Sequence, residues 1–117
     1  MKNDSLMHLT HRLRHFAKER DWNQFHTPKN LAMALTAEAG ELAAEFQWLT
    51  AEESAAPEAE RLARIRDEAA DVMLYLLRLA DTLQFDLIAV ANAKIDINAS
   101  RYPAEQVRGS PKKYNEY

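Results

Sequence analysis

Two short strings concentrate the acidic chemistry of this chain: E-A-G-E, Glu38 to Glu41, and D-E-A-A-D, Asp67 to Asp71. Glu38 and Glu41 stand three residues apart, as do Glu68 and Asp71 within the second string. Residues at i and i+3 share one face of a helix, so each string presents two carboxylates in one direction. That direction is the apolar one. Leu31, Leu35, Leu42 and Leu49 mark a stripe into which Glu38 falls, three residues after Leu35. Ile65, Val72, Leu76, Leu79 and Leu83 mark a second, with Glu68 three residues after Ile65 and four before Val72. A lone carboxylate withdrawn from water is costly, and four together raise one another's pKa until they protonate, unless a cation holds them ionised. A divalent ion meets that need. The chain has no cysteine and neither pair contains a histidine, so an all-oxygen donor set favours a hard ion, Mg²⁺, with Mn²⁺ as a substitute. The alternative is that both pairs are solvated helix-face acids that happen to be spaced by three.

Composition limits the elements that must position these acids. With 117 residues the chain is most simply one domain, residues 1–117, and a chain this small can need a partner to complete its core. An apolar content of 47% with only 2 Gly and 4 Pro points to an ordered, helix-rich protein. The net charge of −3 gives no general attraction to nucleic acid or to an anionic membrane. No apolar run has the length of a membrane span, the N-terminus lacks a signal-peptide core, and the absence of cysteine fits a reducing compartment; a soluble, cytoplasmic protein is expected.

In chain order, Asp4 or Ser5 is a plausible cap for a first helix to about Arg20, with Leu6, Leu9, Leu13 and Phe16 as its stripe. His8, His11 and His15 also recur at helical spacing, and without a nearby acid they read as solvated or structural. The connector R-D-W-N-Q-F-H-T-P-K-N carries Trp22, Phe25 and His26 without a period; it either plugs a bundle end or forms a pocket for a flat ligand. Thr27-Pro28 starts a second helix to about Leu49. Thr50 to Glu58 reads as a surface loop, and a third helix follows from about Pro57 to Leu83. Its apolar residues surround most of its circumference after Asp71, as suits a central helix or one in a subunit interface. Asp86 caps a fourth helix to about Ser100, and residues 104–117 read as an irregular tail holding Arg108, Lys112 and Lys113. No strand pattern competes. The fold expected is an all-α four-helix bundle, its second and third helices antiparallel so that Glu38 and Glu41 face Glu68 and Asp71, completed by oligomerisation.

The strings E-A-G-E and, 26 residues later, E-A-A-D resemble the E-x-x-E and E-x-x-D signature of the all-α nucleoside triphosphate pyrophosphohydrolases, the MazG-like superfamily. R-D-W-N-Q-F-H-T-P-K-N-L, E-A-G-E-L-A-A-E-F-Q-W and K-I-D-I-N-A-S-R-Y-P are most similar to the dCTP pyrophosphatase branch, and the likeness runs from about Leu13 to Tyr114. Thr50 to Glu58 departs from the pattern of the animal members, which bears on fine substrate preference.

The resemblance implies Mg²⁺-dependent cleavage of a (deoxy)nucleoside triphosphate, dCTP or a modified dCTP, to the monophosphate and pyrophosphate. With that activity Glu38, Glu41, Glu68 and Asp71 are the metal ligands, and one carboxylate must orient or deprotonate the attacking water; Glu41, beside Glu38, is the acid expected to do so. Trp22, His26, Trp48 and Tyr75 would form the base and sugar pocket, and Lys94, Asn98 and Arg101 the phosphate contacts. A homotetramer built as a dimer of dimers is also implied, with no nucleic-acid or membrane partner. The rival readings are a non-enzymatic helical interaction module and a di-metal carboxylate protein; the latter calls for Glu-x-x-His pairs that are missing here.

Overall fold

Three of the four long helices begin where a short polar side chain takes over an orphaned backbone N–H; the one behind Glu58 begins without such a cap. In the computed structural model, which describes residues 5–111, the helices are α1 (Leu6–Glu19), α2 (Pro28–Ala44), α3 (Ala51–Ala55), α4 (Ala59–Thr82), α5 (Leu87–Arg101) and α6 (Ala104–Val107). Ser5 caps α1 by accepting from the His8 N–H at 3.0 Å, Thr27 caps α2 with Pro28 behind it, and Asp86 caps α5 through the Ala89 N–H at 3.1 Å. Asp4, the other cap considered for α1, lies outside the described residues, as do Lys112, Lys113 and Tyr114. There is no strand among the described residues, and no helix is long and apolar enough to cross a membrane. The four long helices expected are all present.

Three boundaries differ from expectation. The second helix stops at Ala44 rather than near Leu49. The backbone tightens there, the Glu45 N–H bonding to the Leu42 carbonyl and the Phe46 N–H to the Ala43 carbonyl, and Arg61 of α4 donates to the carbonyl of Glu45, the C-cap, which the helix end leaves without an intrahelical partner. The stretch read as a loop contains α3, held by a capping box in which Thr50 Oγ1 accepts from the Glu53 N–H at 3.1 Å and Glu53 Oε1 accepts from the Thr50 N–H at 2.9 Å. Its S/T-x-x-E signature is visible in T-A-E-E. The tail likewise holds one turn, α6, before Gly109 at a φ of 79°.

By packing, the chain forms two compact units, residues 1–84 and 85–117, divided next to Gln84, which takes a left-handed φ of 58°. The first contains α1 to α4; the second contains α5 and α6. Within the first unit α4 is central, packing along α2 and, more lightly, against α1. The pairing with α2 is antiparallel: Glu38 and Glu41 meet Glu68, while Glu45, further along α2, meets Arg64 and Arg61, further back along α4. Ala17, Leu31, Leu77 and Ala80 form the buried centre, and the arginine among them, Arg78, is only 8% exposed.

Candidate functional site

Oxygens of Glu38, Glu41 and Glu68 all lie within 4.8 Å of one another across the α2–α4 seam. Glu38 and Glu68 are half-buried, and the Oε2 atom of each is shut off from solvent with no hydrogen-bond partner. Glu41 is the exposed member. Ionised carboxylates only accept hydrogen bonds, so this packing sets acceptor against acceptor, which a proton or a cation must reconcile. Without a cation the Glu68 carboxyl is pushed up to about 7, first through hydrogen bonding with Glu38, then through lost hydration and the adjoining charge of Glu41. Orphaned oxygens in an all-carboxylate set fit a hard divalent ion held by this chain's own residues. Gly40 sits between two of these acids without serving a close approach, for a Cβ there would meet nothing within 4 Å.

Asp71, the fourth acid of the expected set, does not join that cluster. One turn of helix beyond Glu68, roughly 4.5 Å along the axis, it lines an adjoining cavity of 210 Å³ together with Trp22, His26, Tyr75 and Arg78. Tyr75 stands four residues after Asp71, and the two share this face as their spacing suggests.

The aromatic wall of the cavity is built by the way α1 ends. Asp21 adopts a left-handed φ of 54°, its N–H bonds to the Lys18 carbonyl at 3.1 Å, and the Trp22 N–H reaches back to the Ala17 carbonyl at 2.9 Å. This doubled closure, formed here on aspartate instead of glycine, turns the chain so that Trp22 folds back over α1. The Trp22 ring packs edge-on to Phe16 with centroids 5.6 Å apart and to His26 at 6.2 Å. The Asn30 amide donates to the Phe25 carbonyl at 3.0 Å, tying the far end of the connector to α2.

Arg78, reaching from α4, holds the middle of that connector. Its Nε donates to His26 Nδ1 at 3.1 Å, it also donates to the side-chain oxygen of Asn23, and its Nη1 donates to Asp81 Oδ2 at 3.3 Å. Asp81 is in turn bound two-pronged by Arg14 of α1, at 2.6 and 3.1 Å. The two guanidinium groups, Arg14 first, hold the Asp81 carboxyl below its ordinary range, while burial and then the charge of Arg78 lower the pKa of His26. Arg78, Asp81, Arg14 and Asn23 were not singled out from the sequence. The signal was an arginine inside the apolar run V-M-L-Y-L-L-R-L-A, where an unpaired charge has no reason to be.

Trp48 is 87% exposed, four residues past the end of α2, and does not line the cavity with Trp22 and His26, which are at the opposite end of that helix. Lys94, Asn98 and Arg101 belong to the second unit, where they are exposed along one face of α5. His15 pairs with Glu19 at 3.2 Å, and no histidine joins the acid cluster.

Residues 33–117 match the MazG-like family. The chain is 46% identical over 104 residues to dCTP pyrophosphatase 1 of Homo sapiens and 44% identical over 104 residues to that of Bos taurus. Each alignment covers 86% of this chain, which spans 61% of the length of the curated relatives it matches. The crystal structure of a pyrophosphatase from Archaeoglobus fulgidus superposes with a TM-score of 0.74 at 37% identity, over 78% of this chain and 85% of the other.

Proposed function

The chain belongs to the MazG-like family, and from that membership we propose that it hydrolyses a nucleoside triphosphate, dCTP or a 5-substituted dCTP, to the monophosphate and pyrophosphate. The observation that carries this reading is the carboxylate cluster of Glu38, Glu41 and Glu68, with two orphaned oxygens, one helical turn from an aromatic cavity. In this reading the three glutamates would hold Mg²⁺, or Mn²⁺ in its place, with Asp71, one turn further along α4, completing the donor set. When bound, the ion neutralises charge that develops on the phosphates during displacement at the α-phosphorus.

The chain's own residues supply position and proton transfer. Glu41, the exposed acid, orients the attacking water and takes its proton as the water oxygen bonds to the α-phosphorus. The bond from that phosphorus to the oxygen bridging to the β-phosphorus breaks, and pyrophosphate leaves. Trp22 and Tyr75 offer flat surfaces to the base, and His26 offers a polar edge. The cavity, at 210 Å³, is below the range of about 300–1,000 Å³ usual for ligand pockets, which favours a single-ring base over a purine.

Assembly as a homotetramer forms part of the same reading. It is supported by α5, which buries no residue and leaves Ile88, Val90, Ile95 and Ile97 between 46% and 63% exposed. A stable 13.4 kDa species in light scattering at micromolar concentration would overturn that element.

The deciding assay is a panel of purified triphosphates with Mg²⁺, resolving monophosphate and pyrophosphate from diphosphate and phosphate. The expected products are dCMP and pyrophosphate, lost on chelation. Release of dCDP and phosphate would refute the reaction class, whereas equal turnover of dATP and dGTP would refute only the pyrimidine preference.

A further inference from the structure

Arg78 commits each of its three guanidinium nitrogens to another side chain: Nε to His26, Nη1 to Asp81 and Nη2 to Asn23. A guanidinium is planar and stays protonated, so these bonds run in fixed directions and Arg78 is always the donor. His26 Nδ1 is therefore the acceptor and carries no proton. The neutral ring must hold its proton on Nε2, an atom with no hydrogen bond to any described residue, on a side chain that lines the 210 Å³ cavity. A histidine without such a partner exchanges between tautomers and titrates near 6.5, offering a donor at one moment and an acceptor at another.

We propose that Arg78 is a positioning residue for specificity: it locks His26 as a neutral Nε2–H donor facing the cavity, so that the site selects a base presenting a carbonyl or ring-nitrogen acceptor to that edge. The inference rests on the nucleotide reading given above for what occupies the cavity, while the locking itself concerns only this chain. Three features make the lock a built one. Arg78 is 8% exposed, so water does not compete for its donors. Its Asp81 partner is held by Arg14 from α1, which ties the plane of the fork to a second helix. Its Asn23 bond fixes the connector three residues ahead of His26, so ring and backbone are set together. The depressed pKa of His26, caused by burial and then by Arg78, keeps the ring neutral at pH 7. Neutral His26 then contributes selectivity without carrying charge, because a base offering only an N–H at that edge would oppose donor to donor and leave both unpaired.

The direct test reads the ring, with activity as a second measure. Long-range ¹H–¹⁵N correlation of the histidine side chains in the full-length, metal-free protein at pH 7, with His26 assigned by His26→Gln, is expected to show the Nε2–H tautomer. In Arg78→Met, which leaves Asp81 paired with Arg14, the His26 signals should move to the averaged tautomer pattern. The KM for dCTP should rise by about tenfold, the loss of roughly one hydrogen bond, with kcat held within about twofold. Arg78→Lys, which keeps the charge without the fork, should fall between. A wild-type ring protonated on Nδ1, or doubly protonated at pH 7, overturns the proposal without recourse to any variant. So does an Arg78→Met protein whose His26 pattern and KM are unchanged, or one that loses kcat alone, as a strut remote from the base would. Should wild type cleave no nucleotide while the tautomer shifts as described, the nucleotide reading and the base contact fall and the locking of His26 stands.

Discussion

Glu38 of α2 and Glu45 at its C-cap are seven residues apart, both half-buried against α4, yet their surroundings are opposite. Glu45 accepts from Arg64 Nε at 3.1 Å through both oxygens and from Arg61 Nη1 at 3.3 Å. Glu38 faces Glu68 and Glu41, and one of its oxygens has no partner. One end of the seam is therefore neutralised within the chain, while the other carries a surplus of negative charge that folding alone does not resolve. Packing a charge into a helix seam is thus no sign of function by itself. The carboxylate left without a cation is the one that implies a ligand.

The largest effect that sharpens this contrast is loss of turnover in Glu38→Gln. With one ligand charge removed, kcat/KM should fall on the order of 10²-fold or more at saturating Mg²⁺, as for loss of a preorganised electrostatic group. Thermal stability in EDTA should hold or rise, since the substitution relieves repulsion. Full activity in this variant would break the comparison at its functional end.

Glu45→Gln should do the reverse. It leaves two guanidinium groups short of their shared partner, so denaturant unfolding should report a loss of about 1 kcal/mol, the scale of a partly screened ion pair with charged hydrogen bonds. Mg²⁺-induced stabilisation should match wild type. A Glu45→Gln protein that lost metal response would mean that both ends of the seam belong to the site.

Proton linkage should separate the paired and unpaired acids by sign. Asp81, held below its ordinary value of 3.8 by Arg14 and Arg78, contributes stability that is present above that value and lost as pH falls through its folded pKa. Glu68 in the metal-free protein is raised from 4.5 to about 7, so the folded state binds the extra proton in that window. Its contribution is present below 4.5 and is lost as pH rises towards 7. Chemical denaturation of metal-free wild type against Glu68→Gln and Asp81→Asn across pH 3 to 8 should show these opposite slopes. A flat difference between wild type and Glu68→Gln from 4.5 to 7 would show that the acids do not oppose one another.

The smallest expected effect is at Gly40, between the acids of E-A-G-E. With open space at its Cβ position, Gly40→Ala should stabilise the helix by about 0.5–1 kcal/mol in thermal melts, without a packing clash. Destabilisation would reveal a constraint on the acid cluster that the metal-free packing does not contain.

Much of this protein follows from its sequence because the relevant signals act over a single helical turn. Ser5, Thr27 and Asp86 cap helices whose first N–H groups lie two or three residues away, and the i, i+3 spacing of Glu38 with Glu41 puts two acids on one face wherever that helix packs. The capping box at Thr50 and Glu53 was equally local and open to the same reading. Tertiary structure decided the matters that depend on residues distant in the chain. Arg61, 16 residues on from Glu45, satisfies the carbonyl at the end of α2 and pairs the Glu45 carboxylate. The turn of α4 places Asp71 at the cavity instead of among the three glutamates. Arg78 reaches 52 and 55 residues back to His26 and Asn23, and so decides which nitrogen of His26 holds the proton. A side chain's type and spacing establish what it can donate or accept, but its charge state and role depend on the partner that packing brings to it.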